Sequence, residues 1–312
     1  MTYHRGEREV QARAALSDRA AFSEGAVGDA IPDVAAEFLA TQPLLVVGAA
    51  DDRGDLWCSP VTGPPGFLRA REPRTLDVGA TPHTGDPLAG VLGRAAPPVP
   101  VGALAIEPAT RRRMRINGTA SPRGGGLRIA TEQVYANCPK YIQKREVLPA
   151  SPWRAGPRDG GGAGDPARSQ RLTGGQQDLL RRADTFFVAT ASDTGDTDAS
   201  HRGGAPGFVR VHSPTLLSWP DYVGNAMFMT LGNLALNPRA GLLVPDWETG
   251  GLLWLTGRAR VLWGEETGER TVEFAVEGVV DAVSGGLLSP GVPQYSKFNP
   301  PVGPAAVTGG VR

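Results

Sequence analysis

The chain has 312 residues, with 32 basic and 32 acidic side chains, a balance that removes any global electrostatic reason to bind nucleic acid or an anionic membrane. Its 40% hydrophobic and 21% charged residues are those of a globular protein with one large core or two ordinary ones. Cys58 and Cys138 lie far apart, which suggests neither a disulfide framework nor a zinc knuckle and reads as free thiols of a reducing, cytoplasmic compartment; the N-terminus lacks an apolar leader and no apolar run spans a bilayer.

Residues 4–22 are good helix formers with a thin apolar face, Val10, Ala14 and Leu16, and predict a helical arm packed on the body or on a second subunit. Residues 33–41 predict a short helix capped by Asp33. Leu44-Leu-Val-Val-Gly-Ala-Ala50 is a buried strand, Asp51-Asp-Arg-Gly54 a turn, and Leu56-Trp-Cys-Ser59 the return arm of a hairpin. Strands over 75–78, 101–106 and 114–120, with a helix start near Asp86, complete a mainly β domain with short helices.

The second half repeats this order. A helix over 176–183 precedes the strand 185–191 and the turn Ser192-Asp-Thr-Gly195, where the first half has Asp51-Asp-Arg-Gly54. Pro-Gly-Phe at 65–67 recurs at 206–208, and Asn117-Gly-Thr-Ala120 is answered at nearly the same spacing by Thr256-Gly-Arg-Ala259. Motifs repeated in order at a near-constant offset indicate tandem copies of one β-barrel-like domain. The expected division is an arm over 1–30, a first barrel over 31–148, a Gly/Pro-rich flexible linker over 149–175, a second barrel over 176–283 that holds the cofactor, and a partly disordered tail over 284–312.

Candidate site residues cluster in the second half. Thr230 stands at a predicted helix N-cap before Leu231, Leu234 and Leu236, and Pro238 ends that helix. Free amides there, with Asn225 and Thr230, suit a phosphate whose charge Arg202 neutralises. His201 reads first as a hydrogen-bonding wall residue, ahead of a general base or haem ligand. Ser200 has no G-x-S-x-G around it, so hydrolase chemistry is weakly supported. Arg111-Arg-Arg-Met-Arg115 reads first as a solvated strand edge, the alternative being an electropositive rim. Asn137-Cys-Pro-Lys-Tyr-Ile-Gln-Lys-Arg145 holds two of the three lysines, and Lys140 with Tyr141 is read as a loop reaching over the pocket from the other domain or subunit.

Together, Pro206-Gly-Phe208, residues 219–234 (Trp-Pro-Asp-Tyr-Val-Gly-Asn-Ala-Met-Phe-Met-Thr-Leu-Gly-Asn-Leu), Asn237-Pro-Arg-Ala-Gly-Leu-Leu243 and Leu255-Thr-Gly-Arg-Ala259 resemble the pyridoxamine 5′-phosphate oxidase-like proteins with the FMN-binding split barrel. Asp86-Pro-Leu88, residues 110–118 and residues 137–143 are similar to the bacterial branch with two such regions. The resemblance implies tandem six-stranded Greek-key split barrels, FMN as cofactor and a homodimer with flavin at the subunit interface. It implies that Ser200, His201, Arg202 and Gly203 line the flavin and that Asn225, Met227, Phe228 and Thr230 hold its phosphate end. Asp221 and Asn233 complete the second-half set, with Lys140 and Tyr141 closing the site. Met227-Phe-Met-Thr230 stands where the true oxidases carry an Arg-Lys pair, and no counterpart of their C-terminal substrate residues is present, so pyridoxamine phosphate is not the expected substrate. The implied function is an FMN-dependent oxidoreductase. The alternatives are a deazaflavin (F420)-dependent reductase and a flavin- or haem-binding module without turnover.

Overall fold

Elements follow the predicted chain order in a computed structural model that describes residues 3–94, 96–149, 168–264, 268–282, 287–289 and 291–303. The first half comprises α1 (Arg5–Arg13), α2 (Ser17–Glu24), α3 (Asp33–Thr41), β1 (Leu44–Ala50), β2 (Leu56–Thr62), β3 (Leu68–Glu72), β4 (Thr75–Val78), α4 (Ala89–Leu92), β5 (Val99–Glu107), β6 (Arg112–Arg123) and β7 (Gly126–Ala136). After the short β8 (Leu148–Pro149), the second half runs through α5 (Gly174–Arg182), β9 (Thr185–Ala191), β10 (Thr197–Gly203), β11 (Arg210–Ser213), β12 (Leu216–Pro220), α6 (Met229–Leu236), β13 (Arg239–Pro245), β14 (Leu252–Trp263) and β15 (Arg270–Ala282), with β16 (Leu287–Leu288) pairing back on β8.

Two seven-stranded antiparallel sheets result, in the orders β2-β1-β5-β6-β7-β4-β3 and β10-β9-β13-β14-β15-β12-β11. Position for position these orders are the same, so the repeat seen in the sequence is a repeat of topology. The strand beyond the six implied by the resemblance is the short outermost one, β3 or β11, which pairs only with β4 or β12. Even the irregularities recur, since β6 bulges at Asn117/Gly118 and β14 at Thr256/Gly257.

The halves pack through the backs of their hairpins. A Cβ on Gly48 of β1 would meet Ala189 and Ala199, one on Gly102 of β5 would strike the backbone of Asp198 and Ala199, and one on Gly241 of β13 would strike Leu56 and Trp57. Gly102 and Gly241 hold the same place in their sheets, each facing the other half's hairpin return strand. That reciprocity makes the contact isologous, like a symmetric dimer interface contained in one chain. It also explains why β1 is buried along all but its last residue: one face meets its own core and the other meets the second half.

The N-terminal arm differs from the single helix expected. Ala15, at φ 54°, breaks it into α1 and α2. α1 starts with a capping box in which His4 Nδ1 accepts from the Gly6 and Glu7 amides and the Glu7 carboxylate accepts from the His4 amide. It crosses α6 closely because Gly6 and Gly232 face each other without side chains. Asp33 does not cap α3; Pro32 is the N-cap, no side chain bonds the first turn, and Asp33 is the first helical residue.

Most of the expected flexible linker, residues 150–167, and the end of the tail, 304–312, lie outside the described residues. What is described of both packs on the body. Arg168 pairs with Asp55 at 2.7 Å and lies over the Trp57 ring, and Ser169 bridges to Val279. Gln294 pairs with Lys144, and the Ser296 amide donates to Gln143 Oε1.

Candidate cofactor site between the two halves

Alternation along β6 sends Arg113 and Arg115 to one face of its sheet, and the halves close around them. The resulting cleft, about 840 Å³ counted to its open mouth, is walled on one side by Arg113, Arg115 and the loop residues Asn137, Cys138, Lys140 and Tyr141. The other wall comes from His201, Arg202 and Gly203 of β10, from Asp221, and from residues 224–231 entering α6.

Positive charge outweighs negative charge here. Arg115 is 7% exposed and is neutralised by Asp198, whose two carboxylate oxygens each accept from its Nη1 at 2.9 Å. Its Nη2 donates to Ser200 Oγ, which also donates to Asp198 Oδ2 and lies 2.9 Å from Thr230 Oγ1. Arg113 has no carboxylate partner among the described residues: its Nη2 donates to the Cys138 carbonyl at 2.8 Å and its Nη1 to His201 Nδ1 at 3.2 Å. Among the described residues, Arg202 donates only to the His201 carbonyl, at 3.2 Å. Both keep part of their surface open, yet their Nε atoms are covered and without a partner. Burial, then Arg115 and Arg202, push the pKa of Arg113 down to about 9; Arg202 is lowered chiefly by burial, with Asp221 opposing. A guanidinium keeps its proton in a protein, so this crowding would favour an anion in the cleft.

His201 is 3% exposed, and its pKa is held well below the ordinary value by burial and then by Arg113 and Arg202. The ring is therefore neutral. Since Arg113 can only donate, Nδ1 is the acceptor and Nε2 carries the hydrogen.

Three non-glycine residues with left-handed backbone line this cleft: Tyr141 (φ 64°), Ala226 (φ 65°) and Phe228 (φ 58°). Such conformations cost on the order of 1–3 kcal/mol each and concentrate where function demands them. The Tyr141 loop is held across the halves. Its hydroxyl donates to the Val223 carbonyl at 2.9 Å, its ring lies 5.0 Å from that of Tyr222, and its carbonyl occupies the space a Cβ on Gly203 would need. Gly203 thus makes room for the loop. Lys140 lines the cleft with its Nζ 5.4 Å from the Phe298 ring.

Other candidates fall differently. Thr230 is not the N-cap of α6; the helix starts at Met229 after left-handed Phe228, with no side-chain cap, and Thr230 is its second residue. The first turn of α6 has no side-chain cap, and Met229, Thr230 and Leu231 line the cleft. Asn225 Oδ1 accepts from the Met227 amide at 3.2 Å, so it shapes the entry turn. Asp221 accepts from Arg270 Nε at 2.9 Å. Ser200, 0% exposed, lies behind the wall. Asn233 is not in this cleft: its Oδ1 lies 2.9 Å from His4 Nε2 and its Nδ2 donates to Thr190 Oγ1, tying down the arm beside a neighbouring cleft. Arg113 and Arg115 line the cleft, which corresponds to the second reading of the arginine run, an electropositive rim, and Asp198, which pairs with Arg115, was not singled out. The period-two spacing of Arg113 and Arg115 was the available signal, and the solvated-edge reading holds only for Arg112, which pairs with Glu107.

Two buried carboxyls give the protein a measurable pH response. Burial raises Asp86 to about 7, against hydrogen bonds from Ser59 and the Leu88 amide, and raises Glu7 to about 8. In the unfolded chain both ionise near pH 4, so between these values the folded state holds the extra protons and stability falls as pH rises. The lowered His201 and His83 act in the opposite direction, mainly below pH ~6.5. Stability is expected to fall by on the order of 2 kcal/mol between about pH 6.5 and 8, measured by urea denaturation; Asp86→Asn and Glu7→Gln should each flatten the slope, and an unchanged slope in both would refute the assignment.

No family model and no curated protein matches the chain. Among solved structures, it is similar to a putative pyridoxamine 5′-phosphate oxidase from Lactobacillus delbrueckii, at 16% identity over 36% of this chain and 94% of that one, TM-score 0.30. It is similar to HupZ of Group A Streptococcus, at 15% identity over 37% and 97%, TM-score 0.31. A third is the FAD binding protein from Mycobacterium smegmatis, at 14% identity over 37% and 99%, TM-score 0.26. By its own strand order and repeated register, the chain is a tandem of two split barrels.

Proposed function

We propose that the chain is a flavin-dependent oxidoreductase whose inter-half cleft holds the phosphate-bearing end of FMN. The observation that carries this reading is the pair of guanidiniums, Arg113 and Arg202, that face the cleft with no carboxylate partner among the described residues. Charged donors of this kind, next to the uncapped start of α6, form a phosphate-binding set. The same donors fit the phosphate of a deazaflavin (F420). Haem fits less well, because Arg113 occupies Nδ1 of His201 and leaves the hydrogen on Nε2, the nitrogen an iron would need.

When bound, the flavin supplies the electron or hydride transfer. In this reading Arg113 and Arg202 anchor its anionic end, His201 Nε2–H donates to a ring or ribityl acceptor, and the Tyr141 loop covers the site. Neutral His201 adds no charge that would attract a second anion. The test is the visible absorption of the purified protein after incubation with FMN and desalting, followed by reduction with a nicotinamide donor. A retained flavin band that bleaches with the donor supports the proposal. A colourless protein overturns FMN and leaves F420 to be titrated; a band that no donor bleaches supports a binding module instead.

A further inference from the structure

The resemblance implied a homodimer with flavin at the subunit interface. We infer instead, on the basis of the cofactor reading above, that one chain is a complete and asymmetric pair with a single cofactor site, the related site having been turned into core.

The repeated registers identify the related position. Ser200 pairs with Val188 as Ser59 pairs with Val47, so β10 corresponds to β2 residue for residue. Arg115 pairs with Tyr135 as Trp254 pairs with Val280, counted from the same bulge, so β6 corresponds to β14. Where the cleft has Arg113 and Arg115, the related position has Leu252 and Trp254. Where it has His201 and Arg202, the related position has Pro60 and Val61. Trp57 stands in for Asp198.

None of these replacements can hold an anion, and none leaves room for one. Trp57, Val61, Leu252 and Trp254 are each at most 2% exposed and belong to one continuous core that crosses between the halves. The serine alone persists. Ser200 meets Thr230 behind the cleft, whereas Ser59 donates to Asp86, a buried carboxyl where a phosphate would need donors.

The physical reason is the release of symmetry. In a homodimer every substitution appears at both sites, so neither can be filled without losing the other. In a tandem chain the two positions vary separately. One keeps its costly cations for a ligand, while the other buries tryptophan and leucine and joins the halves permanently. The first half contributes Arg113, Lys140 and Tyr141 to the surviving site, and the second half contributes His201, Arg202 and α6, so no second chain is required.

The test is an equilibrium titration of the full chain with FMN, followed by flavin fluorescence, at two protein concentrations tenfold apart, with the mass in solution measured at each. One FMN per chain, with the same affinity at the dilution where the protein is a monomer, is the expected result. Arg202→Ala should lose FMN by tenfold or more, while Val61→Ala, at the corresponding first-half position, should leave stoichiometry at one and affinity within twofold. Two FMN per chain, or loss of FMN on dissociation of a dimer, would overturn the inference while sparing the cofactor reading. No binding at any concentration would overturn the cofactor reading and this inference with it.

Discussion

Asp198→Ala is expected to destabilise the protein by about 3–5 kcal/mol, the usual result of breaking a buried ion pair from one side. Asp198 is 3% exposed and Arg115 is 7% exposed. Both oxygens of the carboxylate accept from Arg115 Nη1, and the carboxylate also accepts from the Tyr135 hydroxyl at 3.4 Å and from Ser200. Removing it leaves a guanidinium between the two barrels with no counter-charge, where Gly102 brings the backbones too close for water to enter easily. Urea denaturation of Asp198→Ala measures the effect. The double variant Arg115→Met/Asp198→Ala should recover much of the loss, because the penalty lies in the orphaned charge. A loss below about 1 kcal/mol in the single variant, within the range of a solvent-screened surface pair, would show that the pair is hydrated.

Arg113→Met should act in the opposite sense on stability and strongly on binding. The side chain is crowded by Arg115 and Arg202 and has no acidic partner among the described residues, so an apolar replacement of similar length removes a repulsion and should raise the urea midpoint. Affinity for FMN should fall roughly 10- to 100-fold, the value of about 1.5–3 kcal/mol for a hydrogen bond to a charged group. Inorganic phosphate should compete with FMN in the parent protein and lose that ability in the variant. Arg113→Lys keeps the charge but not the fork that reaches both His201 and Cys138, and should fall between the two. A variant that binds FMN as tightly as the parent would remove Arg113 from the phosphate site. His201, relieved of a neighbouring cation, should titrate at higher pH in Arg113→Met, and NMR of the imidazole would register this without any ligand.

Much of the architecture was written locally. The unbroken apolar run Leu44–Ala50, the turns at Asp51 and Ser192, and the stop at Pro238 each specify their element through nearest neighbours, and β1, β9 and the end of α6 fall accordingly. The tandem repeat was legible because duplicated barrels keep duplicated bulges and glycines, and Gly118 and Gly257 mark them. His201, Arg202, Phe228 and Lys140 line one cleft. Helix starts were less legible. Asp33 and Thr230 look like caps, yet the choice of cap depends on where the preceding chain enters, and Pro32 and left-handed Phe228 hold those positions.

What the sequence could not decide was pairing between the halves. The arginine run reads first as a strand edge and second as a binding rim, and only the approach of β10 turns Arg113 and Arg115 inward to meet His201 and Asp198. Whether a second chain was needed was likewise open, since a motif does not say which copy completes a site. By itself the sequence determined the elements, their order and their repetition, because these follow from periodicity and turn chemistry within a few residues. Tertiary structure alone decided that the two copies face each other, that one shared position became a cationic cleft and that the other became core, because burial and charge there depend on residues more than 80 positions away.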